Sequence, residues 1–177
     1  MVIKHRKLNR LKGFDYSSNG YYFVTICTKN RQDYFGNIIN NKMVLNKYGI
    51  IVSKQWLWLK KQYDNLIDID EYVVMPNHFH GILIIKYKSK SVGTGLDLSL
   101  QKKQLSLSNI IGAFKTTSSI QIHKTGLEIF QWQCSFYDQI IRNEYSLFYI
   151  REYIRDNPKN WDDDKNNLIK KSSSNSL

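Results

Sequence analysis

Two pairs of residues in this sequence have types and spacings that suit chemistry on a phosphate. His78 and His80 sit two apart in Met75-Pro76-Asn77-His78-Phe79-His80-Gly81. Side chains alternate along a strand, so both imidazoles point to one side and can share one metal ion. Tyr153 and Asn157 are four apart in Tyr153-Ile154-Arg155-Asp156-Asn157-Pro158, which stacks them one turn apart on a helix. A phosphoryl-transfer metal needs a further protein ligand and then an open position for a substrate oxygen. If the Asn157 side-chain oxygen completes such a site, the Tyr153 phenol arrives beside the same ion. Each pair also has an ordinary reading. A His-X-His pair is common to several metallohydrolase classes, Tyr153 is one of 12 tyrosines and can pack like the rest, and Pro158 biases Asn157 out of helical geometry toward a C-cap.

The elements that must position these groups follow from local pattern. Tyr21–Thr28 is rich in β-branched and aromatic residues after the turn residues Ser17-Ser18-Asn19-Gly20, and reads as a strand. Helical spacing of Val44, Leu45, Tyr48, Ile51, Val52, Trp56 and Leu59 predicts a helix from about Lys42 to Tyr63. Asp68–Met75 and His78–Lys86 are extended apolar runs joined by the turn dipeptide Pro76-Asn77. Leu105–His123 repeats apolar residues at i, i+3, i+4 and i+7, with Ser106 or Ser108 as N-cap. A strand is expected within Phe130–Arg142, and Glu144–Asn157 reads as a helix stopped by Pro158. The order is β-α-β-β-α-β plus a C-terminal helix, an α+β, ferredoxin-like antiparallel sheet with an added element. Phe79, Leu83 and Ile85 oppose Ile82 and Ile84 on the strand from His78, so both sheet faces should be covered. The expected organisation is a basic arm over 1–12, one domain over 13–160 containing a mobile surface connection (87–104), and a disordered tail over 161–177.

Composition narrows the partners. A length of 177 residues fits one domain with a real core. Twenty-six Lys and Arg against 15 Asp and Glu give a formal charge of +11, which attracts polyanions and makes nucleic acid the first candidate partner. Candidate DNA-positioning cations are Lys4, Arg6, Lys7, Arg10 and Lys12 in the arm, Lys115 on the second helix, and Arg142, Arg151 and Arg155 around the last helix. Each is also readable as a solvated surface charge. The two cysteines, Cys27 and Cys134, form neither a disulfide framework nor a metal-ligand spacing, which fits a reducing cytoplasm. No run of about 18 apolar residues occurs, so the expectation is a soluble protein without a membrane span.

The motifs together resemble a known family. Met75-Pro76-Asn77-His78-Phe79-His80-Gly81 is similar to the histidine–hydrophobe–histidine motif of the HUH enzymes. Arg151-Glu152-Tyr153-Ile154-Arg155-Asp156-Asn157-Pro158 resembles the nucleophile helix of their REP-associated tyrosine transposase branch. Residues 10–31, 107–122 and 132–144 also look like that branch, so the resemblance spans about residues 6 to 160. It implies a ferredoxin-like HUH transposase domain with His78 and His80 as metal ligands, Tyr153 as nucleophile and Asn157 as auxiliary ligand. It further implies Mg²⁺ or Mn²⁺, a single-stranded DNA hairpin as partner, and action as a monomer or homodimer. The implied activity is cutting and rejoining of single-stranded DNA through a 5′-phosphotyrosine intermediate. Two other classes stay open on the residues alone: a catalytically silent nucleic-acid-binding module on the same sheet, and a metal-dependent hydrolase that activates water without a covalent tyrosine.

Overall fold

The computed structural model describes residues 13–86 and 105–167. The expected arm with Lys4, Arg6, Lys7, Arg10 and Lys12, the 87–104 connection, and residues 168–177 lie outside the described residues.

The fold is α+β: a four-stranded antiparallel sheet with three helices. The strands are β1 (Gly20–Cys27), β4 (Ile67–Val74), β5 (His78–Ile85) and β6 (Tyr137–Ile141), ordered β4-β5-β1-β6. A separate hairpin of β2 (Gly36–Ile39) and β3 (Lys42–Leu45) follows β1. The helices are α1 (Lys47–Gln62), α2 (Leu107–Lys124) and α3 (Glu144–Asp156).

Alternation along β5 and β1 separates two cores. Tyr22, Val24, Ile26, Phe79 and Leu83 face α1 and α2 and pack with Trp56, Leu59, Ile110 and Phe114 in the larger cluster. Gly81 belongs to that face, because a Cβ there would stand 2.8 Å from the Phe79 ring and 2.9 Å from that of Trp56. Phe23 and Ile82 face the other way and meet Leu147 and Ile154 of α3 in a smaller cluster. His78 and His80 lie on the same side of β5 as Ile82, so the pleat aims both imidazoles at the face that α3 covers.

Sequence and structure part in three places. Lys42–Leu45, expected as the first turn of a helix, is a strand. Asn40 and Asn41 adopt φ 50° and 60°, the left-handed pair of a two-residue hairpin turn, and the helix begins only at Asn46, whose side chain accepts from the Tyr48 and Gly49 N–H groups. The expected strand over Phe130–Arg142 is confined to Tyr137–Ile141. Upstream, the Trp132 indole donates to Ser118 Oγ (2.9 Å), and Lys115 holds the Gln133 and Cys134 carbonyls, which pulls that stretch off the sheet. The tail reading fails over 161–167. Trp161 begins a 3-10 turn and is buried, and Asn166 and Asn167 are buried behind it.

Candidate metal and nucleophile site

The site is built where β5 begins, and the β1–β5 register sets its first contact. Thr25 pairs with His80 and Cys27 with His78 across the ladder. The Thr25 hydroxyl therefore lies 2.8 Å from His80 Nδ1, and the Phe23 ring stacks on the same imidazole at 5.3 Å. His78 Nδ1 lies 2.9 Å from Asn77 Oδ1, inside the turn that the sequence marks with Pro76-Asn77. Both rings are thus held through Nδ1, the arrangement in which Nε2 carries a free lone pair. The His78 and His80 ring centroids are 4.5 Å apart.

α3 and the segment after it supply the rest. Asn143 caps α3 by accepting from the Ser146 N–H (2.8 Å). Arg151 makes a forked bond to Asp70 and Arg155 binds Glu71, both beside the irregularity between Ile69 and Tyr72 in β4. Those ion pairs fix the helix against the sheet edge and bring Tyr153 to the histidines. Its phenolic oxygen stands 3.3 Å from His80 Nε2, and its ring meets Phe23 edge-on at 6.0 Å. Tyr153 is 42% exposed, so the phenol reaches solvent as well as the imidazole.

Asn157 is the C-cap of α3 and keeps helical angles (φ −56°, ψ −43°) in spite of Pro158. Its side chain is buried, with Nδ2 donating to Asp164 Oδ2 at 3.4 Å. Asp164, which sequence reading assigned to the tail, lies 3.9 Å from His78 Nε2. Ligand atoms from His78, His80 and Asp164 all lie within 4.8 Å of one another. His78 Nε2 and Asn157 Oδ1 are buried polar atoms with no hydrogen-bond partner. An unpartnered imidazole nitrogen and amide oxygen beside a carboxylate are what a bound cation would satisfy, so these residues fit a metal ion.

Burial pushes the pKa values of both histidines down, His80 well below the ordinary value, so the imidazoles are neutral and able to ligate. The Tyr153 phenol is pushed up, by burial first and then by the Asp164 charge. A divalent ion would offset the rise at the phenol and keep the imidazoles neutral.

The site opens into a cleft of about 640 Å³ lined by Phe23, Thr25, His80 and Tyr153 on one side and by Arg31, Lys165 and Asn166 on another. Among the described residues, the expected DNA-contacting cations Lys115, Arg142, Arg151 and Arg155 do not line it. Lys115 donates to the Gln133 and Cys134 carbonyls (2.7 and 2.9 Å), which explains its structural value. Arg151 and Arg155 are engaged by β4 acids. Arg142 is exposed just past β6. The residues that sequence reasoning missed are Asp164, Arg31 and Lys165. Asp164 had a faint signal, since Trp161 and Asp162 to Asp164 place an apolar anchor beside carboxylates.

Comparison with known proteins gives this arrangement its setting. A solved structure of a REP-associated tyrosine transposase bound to a REP hairpin superposes with a TM-score of 0.57, over 95% of this chain and 87% of that one, at 18% identity. This chain has the REP-associated tyrosine transposase fold. An uncharacterized protein of Haemophilus influenzae is 40% identical over 171 residues, covering 92% of this chain and 93% of its own length. The chain belongs to one family with that protein. No protein-family model matches the sequence. On the transposase fold, the paired histidines of β5 form an HUH-like cluster under α3. No helix among the described residues is long and apolar enough to cross a membrane.

Proposed function

We propose that this protein cuts and rejoins single-stranded DNA at a hairpin by transesterification, with Tyr153 as nucleophile. The observation that carries the reading is the phenolic oxygen of Tyr153 standing 3.3 Å from His80 Nε2 at an open cleft, beside three potential metal ligands. A phenol set between solvent and a pair of candidate metal-binding imidazoles has little packing reason to be there. Its placement suits attack on a phosphate.

His78, His80, Asp164 and the Asn157 side-chain oxygen would hold the ion. Two imidazoles alone favour softer metals, but a carboxylate and an amide oxygen shift the set toward Mg²⁺ or Mn²⁺. When bound, the ion supplies positive charge that polarises the phosphate and eases loss of the phenolic proton. Tyr153 forms the bond from its oxygen to phosphorus, and the bond from phosphorus to the 3′ oxygen breaks. The phenol gives up one proton and the departing 3′ oxygen gains one, so the step balances. The phosphotyrosyl ester keeps the energy of the phosphodiester, and a 3′-hydroxyl can attack it to rejoin strands without a nucleotide cofactor. Thr25 and Asn77 keep the imidazoles in register throughout.

Asp164 favours a second reading, a hydrolase that activates water at the same ligands and forms no covalent intermediate. One experiment separates them. Protein, Mn²⁺ and end-labelled hairpin DNA are incubated and then denatured. A labelled adduct that disappears in Tyr153→Phe is the expected result. Cleavage without any adduct would transfer the site to hydrolysis, and a gel shift without cleavage would reduce the protein to a binding module.

A further inference from the structure

Beside the candidate metal-binding residues, the cleft has a cationic side to which neither the sequence motifs nor the family resemblance gave a role. Arg31 and Lys165 line it, and no Asp or Glu stands among its lining residues. Arg31 is built into place. Asn30 and Arg31 both have positive φ (55° and 54°), a backbone that non-glycine residues adopt only when the surroundings demand it. Asn77 Nδ2 donates to the Arg31 carbonyl at 3.2 Å, which ties this loop to the turn that orients His78. The Arg31 guanidinium uses Nη1 alone on protein, donating to the Lys165 carbonyl (2.9 Å) and to Asn166 Oδ1 (2.5 Å). Among the described residues its Nε and Nη2 groups have no protein acceptor, and the exposed Lys165 ammonium has none either.

Arg31 also stands at a junction. A second depression, lined by Thr28, Lys29, Asn30 and Gln131 among others, shares Arg31, Gln133 and Ser135 with the cleft. The two hollows thus adjoin at Arg31. Lys29 lines the second depression, with Nζ donating to the neutral Gln131 side chain (2.7 Å).

We propose that Arg31 and Lys165 hold backbone phosphates next to the one that Tyr153 attacks, and that the unpaired strand continues past Arg31 into the second depression. A half-used guanidinium fork is suited to a phosphodiester, because two parallel N–H groups match two phosphate oxygens. These are positioning residues, and the assignment rests on the single-stranded DNA reading above.

The test is fluorescence anisotropy of a labelled single-stranded hairpin oligonucleotide with an unpaired flank, titrated at several salt concentrations in Mn²⁺. Tyr153→Phe protein is used so that no cleavage intervenes. Arg31→Gln is expected to weaken binding about tenfold, the scale of a lost charge-assisted bond, with Arg31→Lys recovering part of it. Lys165→Gln, whose exposed side chain makes no hydrogen bond among the described residues, is the control against a folding defect. Each Gln variant should also flatten the slope of log affinity against log salt by roughly 0.7, the value for one phosphate contact on a single strand. Unchanged affinity and slope in both variants, with a wild-type adduct intact, would overturn this inference and leave the cutting reading standing. Arg31-dependent and Lys165-dependent binding by a protein that never forms an adduct would support it and end the cutting reading instead.

Discussion

The two faces of the sheet are made from alternate residues of the same strands, yet they are finished differently. The α1/α2 face is closed by a continuous cluster of large side chains, with Trp56, Phe79 and Phe114 all fully buried. The α3 face has five buried apolar residues, and polar groups occupy the rest: two imidazoles, Thr25, and the Asn157 and Asp164 side chains. One face holds the fold, and that surplus lets the other carry buried polar atoms lacking partners, each of which costs stability. The candidate site sits where packing is thinnest.

Substitutions on the two faces should therefore fail in different assays. The largest effect is expected from Tyr153→Phe, which should lower adduct formation on the order of 10³-fold or more, as when a nucleophile is removed, while thermal unfolding stays near wild type. A covalent adduct surviving in this variant would break the comparison at its centre. Trp56→Ala on the packed face should do the reverse, costing about 3–5 kcal/mol in denaturant unfolding while the folded fraction still binds Mn²⁺. Asp164→Asn should weaken Mn²⁺ binding by calorimetry on the order of 10- to 100-fold and leave unfolding nearly unchanged. Equal metal affinity would remove Asp164 from the ligand set.

A pH titration sharpens the contrast. In metal-free protein His78 and His80 have folded pKa values below their unfolded ones, because burial disfavours the charged ring. Folding then binds fewer protons, so the contribution of the neutral rings is fully present above about 6.5 and is lost as pH falls below it. Denaturant midpoints should drop over that range, and His80→Gln should reduce the drop. The smallest effect belongs to Arg155→Ala. Its partly exposed pairs with Glu71 and Glu152 are worth no more than about 1 kcal/mol, to be read as a small shift in the same unfolding curve.

Much of this layout was legible in the sequence because it depends on local periodicity. The pleat puts His78 and His80 on one side, and helical spacing puts Tyr153 near Asn157, whatever the rest of the chain does. The Asn143 cap starts α3 at the expected residue, and the helix ends within a residue of the expected limit before Pro158, although Asn157 itself keeps helical angles. What escaped is set by contacts distant in sequence. Asp164 reaches His78 only because Trp161 folds back and stacks on that imidazole at 5.9 Å, and no spacing rule connects residues so far apart. Arg31 and Lys165 are ordinary surface cations until the chain brings them to one rim. Lys115, Arg151 and Arg155 looked like better DNA contacts because charge is visible in a sequence and the partner that consumes it is not. The β2–β3 hairpin was hidden because Val44 and Leu45 continue the α1 apolar spacing, while Asn40-Asn41 carried the turn.

The return of residues 161–167 to the start of β5 has a consequence for biosynthesis. Every strand and α-helix of the described fold is complete by Asp156, but the carboxylate of the candidate ligand set is made later. A message truncated shortly after α3 would yield a product holding both imidazoles and the phenol yet missing one donor.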